Sequence, residues 1–134
     1  MFKLIVAGSR SFNDYDLLKD KLDRFLANKD LSTVHIVSGT ARGADQLGER
    51  YAKERGCQLE RFPANWARYG KSAGFERNTR MARHADAAVI FWDGESRGAL
   101  HMANTMESFN KPFRGVLFTP APTPAQPQQL ALGF

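Results

Sequence analysis

The chain has 134 residues, 43% of them hydrophobic, which suits one domain around a single buried core. No apolar run is long enough to span a bilayer, and the single cysteine, Cys57, excludes an intrachain disulfide, so a cytoplasmic protein without membrane contact is expected. A formal net charge of +5 favours anionic partners, with nucleotides and nucleic acid foremost.

Phe2–Ala7 (FKLIVA) is a short apolar run of strand formers stopped by Gly8, with no cleavage pattern of a signal peptide behind it. Leu17, Leu18, Leu22, Phe25 and Leu26 then recur at helical spacing, predicting a helix from Asp14 to Asn28 with Asn13 or Asp14 as cap. Val34–Ser38 is a second strand, and Ala44, Leu47, Gly48, Tyr51 and Ala52 line a helix that ends at Gly56. Cys57–Phe62 alternates as an edge strand, Pro63–Gly74 is a loop, and Phe75–Ala85 is a helix. Ala87–Trp92 is a buried strand, Gly98–Phe109 a helix with Leu100, Met102, Ala103, Met106 and Phe109 inward, and Phe113–Phe118 a last strand. The domain is expected to cover residues 1–118, followed by a proline-rich linker over 119–128.

Strands alternating with helices predict an α/β, Rossmann-like domain: a parallel sheet of order 3-2-1-4-5 with helices on both faces. Ligands then bind beyond the carboxyl ends of the strands, where the order reverses. The loops at those ends carry matching chemistry. After the first strand come Gly8, Ser9, Arg10 and Ser11; after the second come Ser38, Gly39, Thr40, Arg42, Gly43 and Asp45; after the fourth come Asp93, Gly94, Ser96 and Gly98. Glycine lets backbone N–H groups approach an anion, helix N-termini supply unpaired donors, and hydroxyls and guanidinium groups add side-chain donors. Neither a P-loop nor a G-x-G-x-x-G is present, so no dinucleotide coenzyme is indicated. His35, His84 and His101 lack metal-ligand spacing; no metal and no cofactor is predicted. Asp93, Glu95 and Glu76 are the candidate acid or base groups, should a reaction be catalysed.

A basic stretch holds Arg61, Arg68, Lys71, Arg77, Arg80 and Arg83 against Glu76, interleaved with Trp66, Tyr69 and Phe75. Cations beside stacking surfaces suit phosphates and bases, so this segment is a candidate single-stranded DNA contact.

The segments VAGSRSF, IVSGTARGADQLGERYA, FPANWARYGKSAGFERNTRMA and AAVIFWDGESRGALHM together resemble the SLOG superfamily, and within it the YspA, cpYpsA-related branch often encoded near phages or mobile elements. The resemblance spans Lys3 to Val116 and implies a Rossmann-like domain that binds nucleotides or nucleotide-derived ligands; the superfamily often forms dimers, so a homo-oligomer is left open. Two related groups sharpen the expectation. Arg77 resembles the helix arginine of the Lonely-guy phosphoribohydrolases, but the position of their catalytic glutamate falls on Met102, which does no acid–base work. SGTARGAD resembles a segment of the DNA-processing protein A family, and FERNTR its R-N-R, which would turn Arg42, Arg77 and Arg80 toward phosphates, with Asn78 between the last two.

The final residues, QLALGF, resemble the hexapeptide with which bacterial proteins dock on the DNA polymerase sliding clamp. Gln129, Leu130, Leu132 and Phe134 occupy the matching positions, as an amide anchor and apolar plugs. The alternative for these residues is packing on the parent domain or on a second subunit.

Overall fold

The computed structural model describes residues 1–120. Alternation along its first strand divides the core in two. β1 (Phe2–Gly8) sends Leu4 and Val6 to one face of the sheet and Ile5 and Ala7 to the other, all buried. β2 (Val34–Ser38) and β4 (Ala87–Trp92) flank it in parallel, with Leu4 beside Ile36 and Val6 beside Val89. β3 (Gln58–Arg61) and β5 (Phe113–Leu117) close the edges, so the order is β3-β2-β1-β4-β5. A central strand buried on both faces has to be apolar where it is covered, and its buried stretch Leu4–Ala7 meets that demand.

The two faces are covered by different helices. α1 (Tyr15–Phe25) and α2 (Ala44–Arg55) pack Leu18, Leu22, Tyr51 and Ala52 onto Leu4, Val6, Ile36 and Phe91. Gly48 of α2 lets that helix sit on β1, since a Cβ there would stand 2.8 Å from the Val6 side chain. On the other face α4 (Ala73–His84) and α5 (Arg97–Ser108) bring Met81, Ala82, Met102 and Met106 against Ile5, Val37 and Ile90. Each of the larger aliphatic side chains and methionines contributes on the order of 1.5–3 kcal/mol by leaving water. The C-terminal end of α4 is closed by a cation from the start of the last strand. The Lys111 ammonium donates to the carbonyls of Ala82, Arg83 and Ala85 at 2.7, 2.9 and 2.7 Å, engaging all three of its protons.

Strand order and layers agree with the sequence reading, and four local expectations are corrected. The first helix ends at Phe25, where Leu26 caps it, because Asp30 turns residues 31–33 into a 3₁₀ turn through Ser32. The segment Pro63–Gly74 is not a plain loop: Asn65 accepts the Arg68 N–H at 3.1 Å and starts a four-residue helix, α3 (Trp66–Tyr69). Cys57 lies before β3 and its N–H donates to Ala52 O, so it belongs to the end of α2. Leu100 faces outward at 46% exposure, while Met102 and Met106 hold the inward positions. The linker beyond residue 120 and the expected clamp peptide, Gln129, Leu130, Leu132 and Phe134, lie outside the described residues. No described helix is long and apolar enough to cross a membrane.

Two glycines with positive φ separate strain from space. At Gly8 (φ +154°) a Cβ would overlap the Phe91 carbonyl oxygen, whereas at Gly56 (φ +74°) it would meet nothing within 4 Å. Gly8→Ala is expected to cost well over about 3 kcal/mol or to prevent folding, and Gly56→Ala only the left-handed penalty of about 1–2 kcal/mol. Urea denaturation of both variants measures the difference; equal costs would mean that β1 and β4 can separate at this point.

Candidate functional site

Beyond the carboxyl ends of β1, β2 and β4 lies a cavity of about 460 Å³. Its walls come from three loops and from α4 and α5. Gly8 starts it: the absence of a side chain lets β1 run against Phe91, and Ser9 N–H donates to Phe91 O at 2.8 Å. Ser9 is 1% exposed and acts as a hub. Its hydroxyl accepts the Asp93 N–H at 3.1 Å, and its carbonyl accepts Phe12 N–H at 3.1 Å. The second loop closes over the same carbonyl, because Gly43 (φ +80°) has no Cβ to strike Ser9 O. Thus Ser9 and Gly43 fasten the frame, while Gly8, Arg10 and Ser11 line the cavity.

The fourth-strand loop is organised by one carboxylate. Asp93 Oδ1 accepts Glu95 N–H at 2.9 Å and Ser96 N–H at 2.8 Å, and Oδ2 accepts the Ser11 hydroxyl at 3.3 Å. These backbone donors, with the side chains of Ser9 and Ser11, hold its pKa below the ordinary aspartate value. A carboxylate so committed is a structural acceptor with little basicity. Ser96 then caps α5 by accepting Ala99 N–H at 3.3 Å, and Gly98 and Ala99 present the start of that helix to the cavity.

Asp45, buried, and Arg77, half-buried, both stand against Gly39. A Cβ at Gly39 would lie 2.6 Å from Arg77 Nη1 and 2.7 Å from Asp45 Oδ2, so the missing side chain leaves the space into which both groups close. Arg77 donates from Nη1 to the Gly39 carbonyl and from Nε to Asn78 Oδ1 at 3.1 Å, and both Arg77 and Asp45 line the cavity. Burial pushes the Arg77 guanidinium down from its ordinary pKa, with Asp45 opposing and Arg10 and Arg80 adding to the fall. Burial likewise pushes the Asp45 carboxyl up to about 6, against the lowering by Ala41 N–H, Arg77 and Arg10.

Aromatic surface completes the wall. Phe75 stacks on His101 with centroids 4.0 Å apart and planes at 6°. His101 Nδ1 lies 3.2 Å from the Asn78 amide nitrogen and so accepts from it, and burial lowers the pKa of the imidazole. Asn78 Nδ2 also donates to Gly98 O at 3.3 Å, linking α4 to the start of α5. Trp66 and Lys71 form the outer rim, with Met81 and Met102 below. Sequence reasoning named Met102, as an inward helix position and as the counterpart of the phosphoribohydrolase glutamate, but neither Met81 nor the Phe75–His101 stack. Helical spacing could flag Met81 and Met102 only as core, and nothing in a linear sequence couples Phe75 to a histidine on another helix.

The structure brings Gly8, Arg10, Ser11, Asp45, Arg77, Asn78, Asp93, Ser96 and Gly98 to the cavity wall. Ser38 lies buried behind it, its hydroxyl on Glu49 at 2.7 Å while accepting Thr40 N–H at 3.1 Å. Gly39, Thr40, Gly43 and Gly94 shape the loops without lining it, and Arg42 is exposed outside it. Of the basic segment, Lys71 reaches the rim. Arg61 pairs with Glu49 at 2.9 Å, Arg83 sits over Phe109 at 5.9 Å, and Arg68 and Arg80 line a neighbouring hollow with Glu76. Glu95 is exposed and lies off the cavity, and Glu76 is tied to Arg80 at 2.9 Å. His35 and His84 both face Glu60 at 2.8 Å, and among the described residues no group of three or more His, Cys, Asp or Glu side chains is arranged to hold a metal ion.

Residues 2–69 match the family model described as the YspA, cpYpsA-related SLOG family. Gene 61 protein of Mycobacterium phage D29 is 36% identical over 107 residues, which cover 75% of this chain and 85% of that protein. Among solved structures, DNA processing protein A from Streptococcus pneumoniae superposes with a TM-score of 0.69 at 17% identity, covering 89% of this chain and 51% of that one. The chain thus spans about half the length of the pneumococcal protein. DNA processing protein A from Helicobacter pylori, studied for its unique single-stranded DNA binding mode, gives a TM-score of 0.62 at 18% identity over 98% of this chain and 73% of that one.

The Asp45 shift has a pH signature. The folded state favours the neutral acid, so its contribution is full below the ordinary value of 3.8 and is lost as pH rises through about 6. Asp45→Asn keeps an acceptor for Ala41 N–H. Its unfolding free energy relative to the parent is expected to rise between pH 4.5 and pH 8 by about 2 kcal/mol. Urea melts across that range measure this; parallel profiles would show Asp45 ionising without penalty.

Proposed function

The chain belongs to the YspA, cpYpsA-related SLOG family, and from that premise we propose that its switch-point cavity binds a nucleotide-type ligand. The observation that carries this reading is a single cavity that collects three cations, Arg10, Lys71 and Arg77, with two aromatic rings, Trp66 and Phe75, and the start of α5. A volume of about 460 Å³ suits a ligand of that size. Phosphate oxygens would face Arg10, Lys71 and the backbone around Gly98. The base would stack on the open side of Phe75, whose other face His101 already covers. Arg77 and Asn78, held by Gly39 O and by each other, fix the floor rather than sweep through solvent, so little ordering cost falls on binding.

Binding is favoured over hydrolysis by the state of the carboxylates. Asp93 is saturated with donors, Glu95 lies off the cavity, Glu76 is paired, and Met102 supplies no proton. A nucleotide N-glycosidase or phosphohydrolase would depend on Asp45, the cavity carboxyl whose pKa is raised to about 6. Single-stranded DNA is the second reading. It is supported by the net charge of +5 and by fold similarity to the Helicobacter pylori protein with its single-stranded DNA binding mode. The QLALGF peptide would add recruitment to a sliding clamp. Deleting residues 129–134 is then expected to abolish clamp binding in a direct titration, and unchanged affinity would remove that role.

Calorimetry with a panel of nucleoside mono- and diphosphates tests the cavity. Phe75→Ala is expected to weaken binding of the preferred nucleotide by about 5- to 100-fold through lost stacking, and Lys71→Ala to weaken it in a salt-dependent way. Binding that survives both unchanged would move the ligand elsewhere on the chain.

A further inference from the structure

The cavity has a neighbour, and Trp66 is the wall between them. A second hollow of about 680 Å³ lies under α3, lined by Asn65, Arg68, Tyr69, Glu76 and Arg80, and Trp66 is the lining residue the two share. The ring is held in place rather than loosely exposed. Asn65 caps α3, and the edge of the indole comes to 3.8 Å from the position of a Cβ at Gly74, so the ring lies along the first turn of α4. It nevertheless remains 52% exposed.

The second hollow repeats the chemistry of the first: an aromatic ring, an amide and guanidinium groups. Arg80 is already engaged, bonded to Glu76 at 2.9 Å and to the Pro63 carbonyl at 3.1 Å, and it braces the wall. Arg68 lies over the Tyr69 ring at 5.2 Å. Among the described residues, neither Arg68 in the second hollow nor Lys71 in the first forms an ion pair. Two unpaired cations thus flank an exposed indole, one on each side of the partition.

Resting on the nucleotide reading of the first cavity, we propose that the ligand continues past Trp66 into the second hollow: a single-stranded chain of at least two nucleotides. The first unit occupies the cavity, the phosphodiester crosses between Lys71 and Arg68, and the second base stacks against Trp66 or Tyr69. A lone mononucleotide leaves Arg68, Tyr69 and the outer face of Trp66 without a role; a linked second unit uses all three.

The test compares thymidine 5′-monophosphate, 5′-phosphorylated dithymidine and a 5′-phosphorylated hexathymidine on the full chain by calorimetry. Dithymidine is expected to bind about tenfold or more tightly than the monophosphate, the increment of one stacked base. Arg68→Glu, which touches only the second hollow, is expected to erase that increment and leave monophosphate affinity and melting temperature unchanged. Trp66→Ala is expected to weaken both ligands. Equal affinity for mono- and dithymidine, or an increment that survives Arg68→Glu, overturns the extension while leaving the cavity reading intact. No binding of any of the three overturns both. Hexathymidine binding no tighter than dithymidine identifies a free dinucleotide-type ligand; tighter, salt-dependent binding identifies a strand end.

Discussion

The close approach of two backbones at Gly8 is the constraint on which the site depends. β1 and β4 are neighbours because the sheet reverses its order between them, and their ends diverge into loops that must part around a ligand. At Gly8 they instead come together, so Ser9 can reach both Phe91 O and Asp93 N–H. Gly43 then lays the second loop on the Ser9 carbonyl. Three loops are thereby indexed to one buried serine. Arg10 and Ser11 point from a fixed base, and the cavity wall inherits the rigidity of the central strands.

Electrostatics in the site follow from the same closeness. Asp45 and Arg77 are drawn out of water against Gly39, yet their direct partners are neutral groups, Ala41 N–H for the carboxylate and Gly39 O and Asn78 Oδ1 for the guanidinium. Each therefore keeps part of its charge unspent. Burial moves both pKa values toward neutrality of the group, while mutual attraction moves them back. An anion near Arg10 and Arg77 would therefore shift the balance at Asp45 as well. Asp93 is the opposite case, a carboxylate whose oxygens are filled by its own loop.

Strands and the strand order were legible because the first three apolar runs stop directly at Gly8, Gly39 and Pro63, and because alternation with helices leaves few topologies. The loop residues were legible for the same reason: the switch point has an address in the linear order. What escaped was short-range capping and long-range stacking. α3 has too few residues for any periodicity, and only the Asn65 side chain reveals its start. Phe75 and His101 sit on different helices and meet in three dimensions alone. Arg42 shows the limit of a motif: its neighbours Gly39, Gly43 and Asp45 build the site, while its own side chain lies outside the cavity.

Lys111 gives the fold an order in time. Its ammonium plugs the carbonyl end of α4, the helix whose other end presents Phe75, Arg77 and Asn78 to the cavity. That lysine enters just before β5, the last described strand. A growing chain can therefore form β1, β2 and both of their loops and still hold α4 with its last carbonyls unanswered. The pocket becomes a finished object only once the edge strand has been synthesised and docked, so an incompletely made chain would carry the recognition loops without the helix that gives them a floor.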